Sequence, residues 1–196
     1  LTLALVRTHR LRRAGAMRSL ASFLAESDPD VMALGEIDAG DALALATRFD
    51  RQWAYRGGQA LLWNGRVAAH EVHDLYLPPA PLAFERRGLL RIDGECAGAP
   101  LSLFATQFGL DRSNVREMRF ARAHARRAPS QAMVFVTSPL RGIGFSDLGY
   151  EEMDEHDTSD QVEIAARGFH LERLRSGIVG GGIGAALLVR ARRLTV

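Results

Sequence analysis

The chain has 196 residues, 47% of them hydrophobic and 24% charged, which suits one folded domain and excludes a globally disordered chain. Its formal net charge of +2 is too small to argue by itself for a polyanionic partner. Its single cysteine, Cys96, excludes an intramolecular disulfide framework and a cysteine-rich zinc module, and it fits a reducing compartment such as the cytoplasm. No apolar run reaches the roughly 18 residues that a membrane-spanning helix needs. Every basic residue is arginine, and asparagine occurs only at Asn64 and Asn114, a skew that a GC-rich coding background produces. The chain opens on Leu1 rather than Met, which leaves room for an upstream signal peptide or membrane anchor.

In chain order, Leu1 to Val6 reads as a buried strand. From Ala14 to Glu26, Met17, Leu20, Ala21 and Leu24 recur at helical spacing, and Asp28-Pro29 ends that helix. Val31 to Leu34 is a second buried strand, and a helix from Asp41 to Phe49 follows. Gln59 to Trp63, Asn64-Gly65 and Arg66 to Leu77 predict a hairpin, and Pro78, Pro79 and Pro81 a loop. Within the second arm, His70 and His73 are expected on opposite faces, which argues against a joint site. Gly88 to Ile92 and Leu101 to Thr106 predict another hairpin, around a glycine-rich turn. A helix capped by Ser113 or Asn114 runs to about Arg126, with Val115, Met118, Ala121 and Ala125 on one face and arginines on the other. Ala132 to Val136 is a buried strand, and an acidic loop spans Glu151 to Asp160. Leu171 to Val179, the glycine run Gly180 to Gly184 and a strand from Ala185 to Arg192 close the chain. Hairpins between helices predict an α+β sandwich with much antiparallel pairing.

Several stretches, in this order, resemble the endonuclease/exonuclease/phosphatase superfamily, which includes deoxyribonuclease I. The family's "pDvvaLQEv" is matched by Asp28-Pro29-Asp30-Val31-Met32-Ala33-Leu34-Gly35-Glu36-Ile37. Its "galL" strand is matched by Gly58 to Leu62, and "Rgll" by Arg87 to Leu90. Leu103 to Phe108 stands for "v.nTHl", Ala132 to Pro139 for "ilaGDFN", and Gly144 to Leu148 for "Gf.Dl". Gly182 to Arg190 stands for the terminal "SDHaallvr". The likeness runs nearly end to end, so residues 1–196 are read as a single domain of this kind. It implies a four-layer α/β/β/α sandwich, with two mostly antiparallel sheets packed face to face and helices outside. It also implies Mg²⁺-dependent phosphoester hydrolysis at the strand ends.

That chemistry needs a carboxylate for a hard cation, a base to activate water, and amide or imidazole donors for the phosphate. Glu36 stands at the metal-ligand position, but one carboxylate alone makes a weak Mg²⁺ site. The asparagine expected after the first strand falls at Val6 or Arg7, with His9 nearby. The "THl" histidine is Gln107, which hydrogen-bonds a phosphate but cannot shuttle a proton near neutral pH. The "GDFN" aspartate and asparagine become Thr137 and Pro139, and the terminal Asp–His pair becomes Ile183 and Gly184. General base and orienting carboxylate are both missing, so the expectation is a degenerate member of the fold without efficient hydrolase activity. It would bind a phosphate-bearing ligand or a protein partner, with Arg7, His9, Gln107 and Arg87 as candidate contacts and nucleic acid not favoured. The competing expectation is an active hydrolase with a rearranged site, in which His9, His170 or the acidic segment with Asp154, His156, Asp157 and Asp160 joins Glu36.

Overall fold

The computed structural model describes residues 1–8, 15–78, 87–108, 114–138, 144–156, 161–178 and 185–194. Two six-stranded sheets lie face to face. The first has the order β11-β12-β1-β2-β4-β3, built from β1 (Thr2–Arg7), β2 (Val31–Gly35), β3 (Gln52–Arg56), β4 (Gln59–Trp63), β11 (Phe169–Ile178) and β12 (Ala185–Arg193). The second has the order β5-β6-β7-β8-β10-β9, from β5 (Val67–Tyr76), β6 (Gly88–Cys96), β7 (Ala99–Gln107), β8 (Gln131–Ser138), β9 (Glu151–His156) and β10 (Gln161–Arg167). Pairing is antiparallel except between β1 and β2 and between β7 and β8, the two places where a helix returns the chain. Helices α1 (Ala16–Ser27) and α2 (Ala39–Arg48) cover the first sheet, and α3 (Asn114–Arg126) covers the second.

Alternation along the central strands builds three apolar layers at once. Leu3 and Leu5 of β1 face the space between the sheets, while Ala4 and Val6 face α1 and α2. On β8, Met133 and Phe135 face inward, and Ala132, Val134 and Val136 face α3. A strand covered on both faces reads as an unbroken apolar run, which is why these strands stand out in the sequence. Helix α3 is fastened at its C-terminal end by Arg167, which donates to the carbonyls of Ala128 (2.6 Å) and Pro129 (2.8 Å). The Tyr150 hydroxyl donates to the Ala125 carbonyl at 2.9 Å.

Three expectations are corrected. The Asn64-Gly65 segment does not turn a hairpin: β4 pairs with β2 and β3, whereas β5 pairs with β6 in the other sheet. Gly65 is not at positive φ, and Asn64 instead donates to the buried Asp30 carboxylate at 2.8 Å, tying the crossing between sheets to the start of β2. The true tight turns are Gly57-Gly58 and Ala97-Gly98, each with two residues at positive φ. The acidic segment is not a loop throughout, since residues 151–156 form β9 at a sheet edge and residues 157–160 lie outside the described residues. Finally, a register shift between Ala69 and Glu71 changes the alternation of β5. His70 and His73 lie beside Glu95 and Asp93, two residues on one face of β6, rather than on opposite faces.

A carboxylate of the second sheet is buried in the layer under α3. Glu163 of β10 is 4% exposed, and its Oε1 has no hydrogen-bond partner. Burial, with the Glu152 and Asp154 carboxylates nearby, pushes its pKa up from 4.5 to about 7. The folded protein therefore holds this proton longer than the unfolded chain, and stability falls as pH rises from 4.5 towards 7 and then levels off. Glu163→Gln is expected to remove this fall, leaving stability unchanged below pH ~4 and raising it by up to about 3 kcal/mol above pH ~7. Urea denaturation of both proteins across that range checks it.

Candidate functional site

The strand register gathers one set of ends on one edge of the sandwich. Arg7 is opposite Gly35, Gly35 is opposite Gln59, and in the second sheet Gln107 is opposite Thr137. The apolar strands end here, so here the first polar side chains occur. The Thr8 N–H donates to the Gly35 carbonyl at 2.8 Å, and the Thr8 hydroxyl donates to the carbonyl of Glu36 at 2.7 Å. On the other side, the Ile37 N–H donates to the Gly58 carbonyl at 3.1 Å, and the Ile37 side chain is buried against α1 and α2. Held between these bonds, Glu36 adopts φ +58°, a left-handed conformation unusual for a residue with a side chain. Such a conformation costs about 1 kcal/mol or more.

That turn directs the Glu36 carboxylate towards the second sheet. Arg7 donates to Glu36 Oε1 through Nη2 at 2.7 Å and through Nε at 3.1 Å. The Gln107 side-chain amide donates to the same oxygen at 2.7 Å, and Gln59 donates to Gln107 Oε1 at 3.1 Å. The Arg7 and Glu36 side chains are 11% and 19% exposed, so this pair is only partly wet. Around Glu36, these contacts are donors and a cation. No second carboxylate joins them among the described residues.

Gly35 and Thr137 mark a close approach of the two sheets. A Cβ on Gly35 would lie 2.5 Å from both Cγ2 and Oγ1 of Thr137. Thr137 is fully buried, and its hydroxyl has no hydrogen-bond partner. Where the resemblance expects the carboxylate of a base-orienting aspartate, the side chain here acts as a spacer.

The remaining sequence candidates divide clearly. Arg7, Glu36, Gln107 and Thr137 come together. Arg87 is held by α3, pairing with the buried Glu117 at 2.8 Å. His170 is at the far edge: it pairs with Arg192 across β11 and β12 and meets Glu151 at 3.1 Å, so it does not reach Glu36. His9, Pro139, Ile183 and Gly184 lie outside the described residues. The end of β9 lies on the same sheet edge as Thr137, because His156 is opposite Gln161 and Gln161 is opposite Ser138. Sequence reasoning missed Gln59. The signal was a lone polar residue opening the apolar run QALLW, and it is 2% exposed.

A second polar group lies on the outer face of the second sheet. Ligand atoms of Glu71, His73 and Asp93 fall within 4.8 Å of one another, the one such group among the described residues. Asp93 already accepts from Arg91 at 2.9 Å and from the Ser102 hydroxyl. Its pKa is lowered: the Ser102 and Arg91 hydrogen bonds and the Arg91 and His73 charges together outweigh burial, which raises it. Cys96 is a half-buried free thiol whose pKa burial pushes up.

No family model matches the sequence, and no curated protein matches it by sequence. Solved structures do match. TDP2 of D. rerio, in a complex with a single-strand DNA product, superimposes with a TM-score of 0.69 at 16% identity, over 97% of this chain and 98% of that one. The mannosyl-6-phosphatase of Bacteroides thetaiotaomicron gives 0.67 at 13%, covering 97% of this chain and 99% of that one. An endonuclease/exonuclease/phosphatase family protein of the same organism gives 0.70 at 11%, covering 99% and 98%. What these proteins share with the chain is the fold, and it is the endonuclease/exonuclease/phosphatase, or DNase I-like, sandwich.

Thr137→Val keeps the spacer and removes the unpartnered hydroxyl. It is expected to raise stability by about 1 kcal/mol, read from the urea midpoint. Gly35→Ala, which forces a methyl into Thr137, is expected to lower it by about 1–3 kcal/mol.

Proposed function

We propose that this chain is a degenerate endonuclease/exonuclease/phosphatase-fold protein without efficient hydrolase activity, which binds a phosphate-bearing ligand or a protein partner at the Glu36 edge. The observation that carries this reading is the Arg7 guanidinium on Glu36 Oε1. Mg²⁺ takes an octahedron of oxygens, usually with one or two carboxylates and the substrate phosphate. The carboxylate at this edge already carries a guanidinium and an amide donor, so the donor set does not fit a hard divalent cation. A cation 4 Å from the guanidinium would be repelled by roughly 4 kcal/mol per unit charge at an effective dielectric of 20. The positions that would supply base chemistry hold Gln107 and Thr137, neither of which takes a proton near neutral pH. Loss of a general base alone costs about 10²–10⁴ in rate. Among the described residues the edge carries the Arg7 guanidinium and the Gln107 and Gln59 amides, whose N–H groups, once turned from Glu36 and Gln107, suit an acceptor-rich ligand such as a phosphate.

The test is direct. Wild-type protein titrated calorimetrically with Mn²⁺ and Mg²⁺ is expected to show no stoichiometric site at Glu36. Arg7→Ala is expected to bind Mn²⁺ at least 10-fold more tightly, and Arg7→Ala/Glu36→Gln to lose that gain. Arg7→Ala should cost about 1–2 kcal/mol of stability, since it takes the guanidinium away from a partly buried carboxylate. Mg²⁺-dependent turnover of DNA or a small phosphodiester by wild type, abolished in Glu36→Gln, overturns the reading in favour of the rearranged hydrolase.

A further inference from the structure

The outward face of α3 carries charge of one sign only. Arg116, Arg119, Arg126 and Arg127 are exposed, and none forms an ion pair among the described residues. At 100° per residue they fall in a stripe roughly 100° wide and about 15 Å long, with Ala123 between them. The helix's single acidic residue, Glu117, is buried and paired with Arg87. Arg122, at the margin, is neutralised by Asp147. The face therefore lacks the interleaved carboxylates of an ordinary solvated helix.

This arrangement costs the free protein stability. Arg116 and Arg119 are three residues apart, and neither has a counter-ion among the described residues. Like charges at this spacing repel by about 0.2–0.5 kcal/mol. Arg116 is also in the first turn, where the helix dipole repels a cation. The small net charge of the whole chain is compatible with this face because the balancing carboxylates are elsewhere.

We propose that the outer face of α3 is a docking surface for the phosphate backbone of duplex nucleic acid. A duplex presents a phosphate on each strand about every 3.4 Å of axis, dense enough for each of the four arginines to meet one. Arginine forks bind phosphate oxygens with two parallel hydrogen bonds. A membrane surface fits less well. An interfacial helix needs an apolar side to insert, and here Met118, Ala121 and Ala125 are packed on the second sheet. The stripe shares no residue with the Glu36 cluster, and the proposal stands whether or not hydrolysis there is lost.

The experiment is fluorescence anisotropy of a labelled 20-base-pair DNA of arbitrary sequence. Four phosphate contacts predict a slope of log K against log salt of about −3.6, or roughly a 100-fold loss between 50 and 200 mM. Arg119→Gln/Arg126→Gln is expected to reduce that slope by about 2, with a melting temperature unchanged or raised because repulsion is removed. Arg18→Gln, on the exposed side of α1 over the first sheet, should bind DNA like wild type. No binding at 50 mM salt, an unchanged slope in the double variant, or tighter binding to phosphatidylserine vesicles than to DNA each overturns the proposal.

Discussion

The central strands of this protein are covered on both faces, and that constraint organises everything else. A strand between two apolar layers has no side on which a charge can meet water, and an unpaired buried charge costs several kcal/mol. Residues 2–6, 31–35, 59–63 and 185–189 accordingly carry almost nothing polar until they end. Polar chemistry is therefore pushed to the strand ends. The parallel pairing of β1 with β2 and of β7 with β8 sets four such ends on one edge. The position of the Glu36 cluster is a consequence of how the core is built.

At that edge Glu36 is the central charge, and the structure gives it a partner from its own chain. Arg7 and Glu36 follow directly on apolar strands, so neither is fully hydrated, and each lowers the cost of the other's partial burial. The left-handed turn at Glu36 places the carboxylate where Arg7 and Gln107 can both reach one oxygen. In a fold whose sequence likeness implies a metal here, a permanent cation supplied by the protein changes what the edge can hold. In the reading proposed above, that guanidinium lowers the affinity of this edge for a divalent ion.

The polar residues that break the pattern inside the layers fall into two kinds. Thr137 and Gly35 are matched in size: one supplies the atoms that the other lacks, at the price of an unpartnered hydroxyl. Glu163 has no such compensation and instead keeps its proton to higher pH. The exposed arginines of α3 are a third departure, on the surface rather than in the core. They show that a modest net charge says little about local potential when opposite charges are sorted onto different faces.

The sequence by itself determined most of the element order and the two-sided strands, because apolar periodicity reports burial. It did not reveal β3, β9 or the buried β10, and Val115, expected on the packed face of α3, is exposed. The resemblance sets Gln107, Thr137 and Glu36 at the positions where base and metal residues are expected. The edge strands were less legible. QWAYR of β3 and EEMDEH of β9 mix polar and apolar residues, since an edge strand at the rim of a sheet buries less of its surface. Asn64-Gly65 has the composition of a hairpin turn, yet Asp30, more than thirty residues away, claims the asparagine side chain. Only the tertiary structure decided that Arg7 would neutralise Glu36 and that Gln59 would brace Gln107. Those contacts join residues 29 and 48 positions apart, and they depend on strand register and on one positive φ angle, neither of which leaves a local mark in the sequence.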